Sequence, residues 1–133
     1  MIAVDTSALL SIVFGEADAP QMLAAIESAS CVVGAPTAFE ARMVVAMRGP
    51  PEAVGALERV LAEPNLRILS FESDHVLLAQ GAFSTYGRGR GHPARLNFGD
   101  CMTYAVAKRD DLPLLYKGDD FVHTDLRPAL NAP

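Results

Sequence analysis

Residues 97–108 place a helix-capping residue just before an acid in the first turn of a predicted helix. Asn97 can cap this helix, and Asp100 follows three positions later, a spacing that also fits a capping box. A carboxylate at this end of a helix is kept ionised by the helix dipole, so it can bind a cation. Asp100 is therefore a candidate cation ligand, with helix capping as the alternative.

Other acids follow predicted strands directly. Asp5 comes at the end of the apolar run 2–4, and the pair Asp119 and Asp120 comes just after the apolar run 114–116. In a parallel sheet the carboxyl ends of the strands meet at one edge, where ligands bind. The pattern predicts that these acids approach Asp100, although capping and turn formation are alternative roles for them.

Glu40 lies on a predicted helical stripe that carries no other charge. No basic residue occupies the positions three or four away on either side, so an ordinary surface ion pair is not available to it. Burying an unpaired carboxylate is costly. A bound cation would remove that cost, and a partly exposed helix residue is the alternative.

The elements that must position these acids are short strands alternating with helices. Strands are predicted at 2–4, 31–33, 67–70 and 114–116. Helices are predicted at 8–14, 17–30, 38–48, 52–61, from a cap at Ser73 or Asp74 to 86, and after a cap at Asn97, with Asp100 in the first turn. An edge strand is expected near Leu126. Parallel strands need crossover connections, so we predict a three-layer α/β/α fold whose central sheet is mostly parallel and has four to five strands.

Composition narrows the class of protein. The chain has 133 residues, half of them apolar, and fits a single domain over residues 1–133. It has no apolar run long enough to span a bilayer and no basic start typical of a signal peptide, so a cytoplasmic protein with no membrane association is expected. Cys31 and Cys101 are predicted to be buried thiols. The net charge of -5 argues against a general nucleic-acid coat protein.

Clustered carboxylates favour a hard divalent cation with oxygen ligands, so Mg²⁺ or Mn²⁺ is expected and zinc is not. Such an ion would hold a phosphate oxygen and activate water for phosphodiester hydrolysis. Thr6 or Ser7 could orient a ligand acid or a water, with capping as the alternative. A glycine-spaced basic loop precedes the Asp100 helix and could grip a nucleic-acid backbone, or could be a solubilising loop; its candidate RNA-binding residues are Arg88, Arg90, His92 and Arg95.

These motifs resemble those of PIN-domain ribonucleases and, more closely, the VapC toxins of bacterial toxin–antitoxin pairs. The similar segments are 4–9, the apolar helix with Glu40, 97–105, and 114–121. The resemblance runs nearly end to end and includes the Arg/Gly-rich loop with His92-Pro93.

The resemblance implies a Mg²⁺- or Mn²⁺-dependent endoribonuclease that cleaves tRNA, rRNA or mRNA. It also implies inhibition by a VapB-like antitoxin and assembly as a homodimer. The family ligands correspond to Asp5, Glu40, Asp100 and Asp119. Asp120 is an alternative for the fourth position, and Asp125 is near enough in sequence to assist.

Two other classes of protein have acids and Mg²⁺ at strand ends. A haloacid-type phosphatase would have a second acid two residues after Asp5, where this chain has Ser7, and a receiver would have its acceptor Asp where this chain has Ser70. A PIN nuclease that processes RNA without an antitoxin, and a non-catalytic RNA- or protein-binding module, are the remaining alternatives.

Overall fold

Four short parallel strands form the central sheet of the protein, which is described over residues 1–131 by a computed structural model. They are β1 (Ile2–Val4), β2 (Cys31–Gly34), β3 (Leu66–Leu69) and β4 (Leu114–Leu115), in the order β3-β2-β1-β4. Every pairing is parallel, with Ala3 opposite both Val32 and Leu114. The predicted parallel α/β/α fold is confirmed.

Six helices connect and cover the strands. They are α1 (Thr6–Val13), α2 (Ala19–Ser28), α3 (Ala35–Arg48), α4 (Pro51–Leu61), α5 (Ser73–Tyr86) and α6 (Phe98–Arg109). Side chains alternate between the two faces of each strand. Val4 and Val33 therefore pack with α1 to α4, whereas Ala3, Val32 and Leu114 pack with α5 and α6. The result is one apolar cluster on each side of the sheet.

The tail of the chain differs from the predicted edge strand near Leu126. Within residues 1–131, it forms only an isolated bridge between Leu114 and Pro128. The Leu114 N–H donates to the Arg127 carbonyl, and the Ala129 N–H donates to the Leu114 carbonyl, both at 2.8 Å. Both bonds come from the residues that flank Pro128, whose own nitrogen faces away from β4, so proline at this position costs the bridge no hydrogen bond.

The start of α5 also differs from the prediction that Ser73 or Asp74 caps it. The cap residue is Glu72, whose N–H donates to Nδ1 of His75 at 2.9 Å. His75 lies in the first turn of the helix, where it is fully buried and stacks on Phe71 with a centroid distance of 5.0 Å. His75 is the third residue of the helix, and its imidazole accepts the N–H of the cap residue while it packs in the core.

Two further expectations concern the cysteines and membranes. Cys31 and Cys101 are both buried and free, as predicted, and burial raises the pKa of each thiol. Across residues 1–131, no helix combines the length and the apolar character that crossing a bilayer requires. The single domain over 1–133 stays a prediction, and its last two residues lie outside the described part of the chain.

Candidate metal centre

The acids gather because β1 and β4 are adjacent parallel strands that end at the same edge of the sheet. Asp5 follows β1 and is the N-cap of α1. Asp119 and Asp120 follow β4, while Glu40 and Asp100 come from α3 and α6, which pack against each other beside that edge. The topology therefore brings four segments, distant in sequence, to one place.

Asp5 is 5% exposed and is held by neutral donors on both oxygens. Its Oδ2 accepts hydrogen bonds from the Ser7 backbone N at 3.0 Å and from Ser7 Oγ at 2.6 Å. Its Oδ1 accepts from Thr103 Oγ1 at 2.7 Å. The Lys117 backbone N donates in turn to Ser7 Oγ at 2.9 Å, which ties the end of β4 to the start of α1. Asp5 is thus a buried, well-oriented carboxylate that has no ion-pair partner within residues 1–131.

Glu40 bridges α3 to the start of α6. Its Oε1 accepts from Thr6 Oγ1 at 2.5 Å. A Cβ atom at Gly99 would lie 2.9 Å from Cδ of Glu40 and 3.0 Å from Oε1, and would be nearer still to Oε2. Real Cβ atoms are not found this close to other heavy atoms. Glycine at 99 therefore allows the Glu40 carboxylate to lie against the first turn of α6.

Asp100 caps its helix and belongs to the acidic cluster at the same time. The Asp100 N–H donates to Asn97 Oδ1 at 2.8 Å, and Asp100 Oδ2 accepts from the Asn97 N–H at 3.0 Å. The expectation that the helix dipole keeps Asp100 fully ionised is not met: burial raises its pKa to about 7, the Asn97 N–H opposes this rise, and the charges of Asp5, Asp120 and Glu40 add to it. Capping and cation binding are consequently not exclusive roles for this residue.

The structure places the two members of the acidic doublet differently. The charge of Asp120 contributes to the raised pKa of Asp100, so this side chain faces the cluster. Asp119 lines a groove that also contains Asp18 and Lys117. The pKa of Tyr116 is raised mainly by burial of its side chain and, to a lesser degree, by the charge of Asp119. Both are exposed. Asp120 is thus the member of the doublet that accompanies Asp5, Glu40 and Asp100.

Asp125 is engaged away from the cluster. Its Oδ1 accepts from the Tyr104 hydroxyl at 2.8 Å, and its Oδ2 accepts from Lys108 Nζ at 2.6 Å. Although burial opposes the effect, these hydrogen bonds lower the pKa of Asp125. The pair joins the tail of the chain to α6. Both supporting hydroxyls, by contrast, are placed among the acids: Thr6 contacts Glu40, and Ser7 contacts Asp5.

The basic loop between α5 and α6 is anchored at its base rather than free along its length. Leu96 N–H donates to the Tyr86 carbonyl at 2.8 Å, and Arg88 N–H donates to the Leu96 carbonyl at 2.9 Å. His92 packs edge-on against Tyr86, and its Nδ1 accepts from Ala94 N–H at 3.1 Å. Arg90 lies 5.8 Å from the Phe83 ring. His92 thus organises the loop, and the arginines project from it.

The donor chemistry fits a hard divalent cation. The converging side chains offer carboxylate and hydroxyl oxygens, and the mutual repulsion recorded in the raised pKa of Asp100 is what a cation would relieve. Within residues 1–131, no three carboxylate, imidazole or thiolate side chains already stand at ligating distance from one common point. Thr6 and Asn97 hold Glu40 and Asp100 in their present positions.

Thr103 and Thr37 were not among the site residues predicted from the sequence. Thr103 is 2% exposed, donates to Asp5, and lies 3.1 Å from the hydroxyl of Thr37, which is 3% exposed. The available signal was spacing, because Thr103 lies three residues after Asp100 and therefore on the same side of the helix. Its partner Asp5 is 98 positions away, and no local pattern indicates that contact.

Comparison with known proteins agrees with this architecture. The family model for the PIN domain matches residues 2–126, so the chain belongs to the PIN-domain family. Ribonuclease VapC42 of Mycobacterium tuberculosis is 42% identical over 127 residues, covering 95% of this chain and 97% of that protein. Ribonuclease VapC36 of the same species is 45% identical over 125 residues, covering 92% and 89%. Within the PIN domains, the chain is a member of the VapC ribonucleases.

Two solved structures share the fold. The M. tuberculosis toxin VapC20, described as cleaving the sarcin-ricin loop, superposes with a TM-score of 0.69 at 20% identity, covering 96% of this chain and all of that one. FitAcB from Neisseria gonorrhoeae gives a TM-score of 0.69 at 22% identity, covering 96% of each chain. At these identities the likeness concerns the fold, and it agrees with the predicted PIN-like architecture.

Proposed function

We propose that this VapC-type chain is a Mg²⁺-dependent endoribonuclease, with Mn²⁺ able to substitute, that hydrolyses phosphodiester bonds in tRNA, rRNA or mRNA. The observation that carries the proposal is the set of four carboxylates at the carboxyl edge of the sheet, where the charges of Asp5, Glu40 and Asp120 all act on a half-buried Asp100. The ribonucleases similar to this chain over nearly its whole length support the reaction class.

These four acids are the proposed metal ligands and catalytic residues, with Asp120 preferred over Asp119. A bound divalent ion would supply Lewis-acid activation of the scissile phosphate and of water. Two hydroxyl groups of the chain hold the acids from which the ion would be bound. Ser7 donates a hydrogen bond to Asp5, and Thr6 donates one to Glu40. No common point lies at ligating distance from three of the acids within residues 1–131, so Glu40 and Asp100 would rotate away from Thr6 and Asn97 to share one ion with Asp5.

Cleavage of a panel of tRNAs and structured RNAs tests this function. Purified protein is incubated with Mg²⁺, with Mn²⁺, or with EDTA, and we expect cutting with either ion and none with the chelator. Equal cutting in EDTA would contradict the metal-dependent mechanism. Stabilisation by Mg²⁺ with no cutting of any RNA would favour a metal-binding module without nuclease activity, and neither response would favour a non-catalytic RNA- or protein-binding module.

The arginines of the basic loop are the proposed contacts to the RNA backbone. Within residues 1–131, five of the eleven Lys and Arg side chains form salt bridges, whereas Arg88, Arg90 and Arg95 form none. Arg88 lines the same cavity as Asn97, the residue that caps the Asp100 helix. Unpaired cations next to an acidic centre can bind phosphates on either side of the bond that is cut.

Replacing Arg88 and Arg90 together with Ala is expected to weaken RNA binding and its dependence on salt. For single-stranded RNA, each lost phosphate contact reduces the slope of log affinity against log salt by about 0.7. Binding is measured in an Asp100→Asn background so that the RNA stays intact. The control removes Arg59 and Arg67, two unpaired arginines of α4 and β3, and should leave the slope unchanged. An equal slope in both double variants would contradict a role for the loop.

A homodimer is proposed through a continuous apolar surface formed by α3, α5 and α6. Phe39 and Met43 line one groove with Phe98, and Phe83 lines the next groove with Phe98. Phe98 is 79% exposed and Phe39 is 67% exposed. Large exposed apolar patches mark protein interfaces. Light scattering should therefore give the mass of two chains, and Phe98→Ser should shift the protein toward the mass of one.

The remaining proposed partner is a VapB-like antitoxin that covers the acidic centre, and the proposed location is the cytoplasm, where the RNA substrates are. A short neighbouring gene for a DNA-binding protein that abolishes cleavage when added would support this assignment. If instead no neighbouring gene product inhibits the enzyme, a PIN nuclease with a role in RNA processing is favoured.

A further inference from the structure

We propose that Thr103 and Thr37 form a buried hydroxyl chain that positions Asp5 for cation binding. The inference rests on the proposed metal-dependent function and assigns these two threonines as positioning residues. Thr103 Oγ1 lies 2.7 Å from Asp5 Oδ1, and Thr37 Oγ1 lies 3.1 Å from Thr103 Oγ1. Both threonines are almost completely buried.

The direction of hydrogen-bond donation along the two threonine hydroxyls follows from the carboxylate of Asp5 at which they end. An ionised carboxylate can only accept hydrogen bonds, so the Thr103 hydroxyl must donate its proton toward Asp5. Having donated, Thr103 can only accept from Thr37, and the Thr37 hydroxyl is therefore the donor of the second bond. Each hydroxyl is thereby held in one orientation, and α3 and α6 together determine how the Asp5 carboxylate sits at the end of β1.

The two sides of Asp5 are fixed by different elements. Ser7 in α1 occupies Oδ2 through its N–H and its hydroxyl, while Thr103 in α6 occupies Oδ1. Rotation of the carboxylate about its Cβ–Cγ bond would break hydrogen bonds on both sides. Oδ2 already accepts two hydrogen bonds, whereas Oδ1 accepts one and keeps a lone pair for an ion. Asp5 can therefore face the centre in a single orientation without the ion having to impose it.

The position of Thr103 also links two of the acids. Asp100 and Thr103 lie one turn apart on α6, so the same rigid helix carries one acid and the donor that orients another. Hydrogen bonds that orient metal ligands typically change metal affinity by about 10–100-fold when removed. A merely structural hydroxyl would change stability alone.

The test compares Mn²⁺ affinity in four variants with that of the wild type, by paramagnetic titration of free Mn²⁺. Thr103→Val keeps the shape and removes the donor, and it should weaken Mn²⁺ binding by about 10-fold or more. Thr103→Ser keeps the hydroxyl and should restore binding. Thr37→Val should give a smaller loss. Ser11→Ala removes another buried hydroxyl, one that donates to Asp18, and should leave Mn²⁺ affinity unchanged.

Melting curves in EDTA separate positioning from folding. If Thr103→Val does not fold, Thr37→Val decides, since it leaves the direct bond to Asp5 in place and should still lower Mn²⁺ affinity. Wild-type affinity in the folded threonine variants would overturn the positioning role while leaving the metal centre intact. Failure of the wild type to bind Mn²⁺ would overturn the proposed function and this inference together.

Discussion

Asp100→Asn is expected to abolish RNA cleavage while making the metal-free protein more stable at pH 8. Removing a charged ligand should lower activity by at least about 100-fold, since even residues that only orient ligands can contribute that much. The gain in stability arises first because burial disfavours the Asp100 carboxylate and second because Asp5, Asp120 and Glu40 repel it, and asparagine removes both costs. Loss of function and gain of stability in one variant is not expected of a purely structural cap.

The pH dependence has a definite sign. The pKa of Asp100 is raised from 3.8 to about 7, so between these pH values the folded state binds more protons than the unfolded state. Stability from this group therefore falls as pH rises through that window, and the destabilisation is complete above pH 7. Because solvent screens a partly exposed site, we expect the free energy of unfolding to fall by about 1–2 kcal/mol between pH 5 and pH 8.

Urea unfolding in EDTA at the two pH values measures this loss. In Asp100→Asn the contribution of this group should disappear, and Mg²⁺ should stabilise the wild type at pH 8 more than it stabilises the variant. If the stability of Asp100→Asn changed with pH as much as that of the wild type, protonation of Asp100 would not be the cause of the pH dependence.

The acidic doublet should respond asymmetrically to neutral substitution. Asp120→Asn is expected to reduce cleavage by at least about 100-fold, because this carboxylate faces Asp100. Asp119→Asn should retain activity within about twofold, because its side chain is exposed along a different groove and surface charges away from a site contribute little.

The two variants are matched controls for each other, since they make the same chemical change at adjacent exposed positions. Cleavage rates and Mn²⁺ affinities are measured for both under identical conditions. The opposite order of effects would assign the fourth position to Asp119, and equal losses would show that both carboxylates serve the ion.

Sequence alone predicted the sheet because strand and crossover signals are local. The apolar run before Asp5 and the runs ending near Gly34 and Tyr116 mark buried parallel strands, and the structure confirms them within a residue or two. Approach of Asp5, Glu40 and Asp100 also follows from topology, since adjacent parallel strands end together. The roles proposed for these acids remain predictions.

Other features depend on contacts that no local pattern encodes. Asp119 and Asp120 are identical residues in one turn, and only the path of the backbone after β4 separates their directions. From the sequence, Thr103 is an ordinary residue within a predicted helix, and only the structure shows its hydrogen bond to Asp5. His75 looks like a surface residue because histidine is often exposed, yet its packing on Phe71 makes it part of the core.

The hydrogen bonds around Asp5 also have a consequence for when activity begins. Asp5 is made early on the ribosome, but its partner Thr103 is 98 residues later, and the Lys117 N–H that holds Ser7 is 110 residues after that serine. β1 also needs β4 as its neighbour in the sheet. A nascent chain therefore has no assembled centre until α6, β4 and Lys117 have been synthesised, so the proposed ion site forms only after that point of elongation.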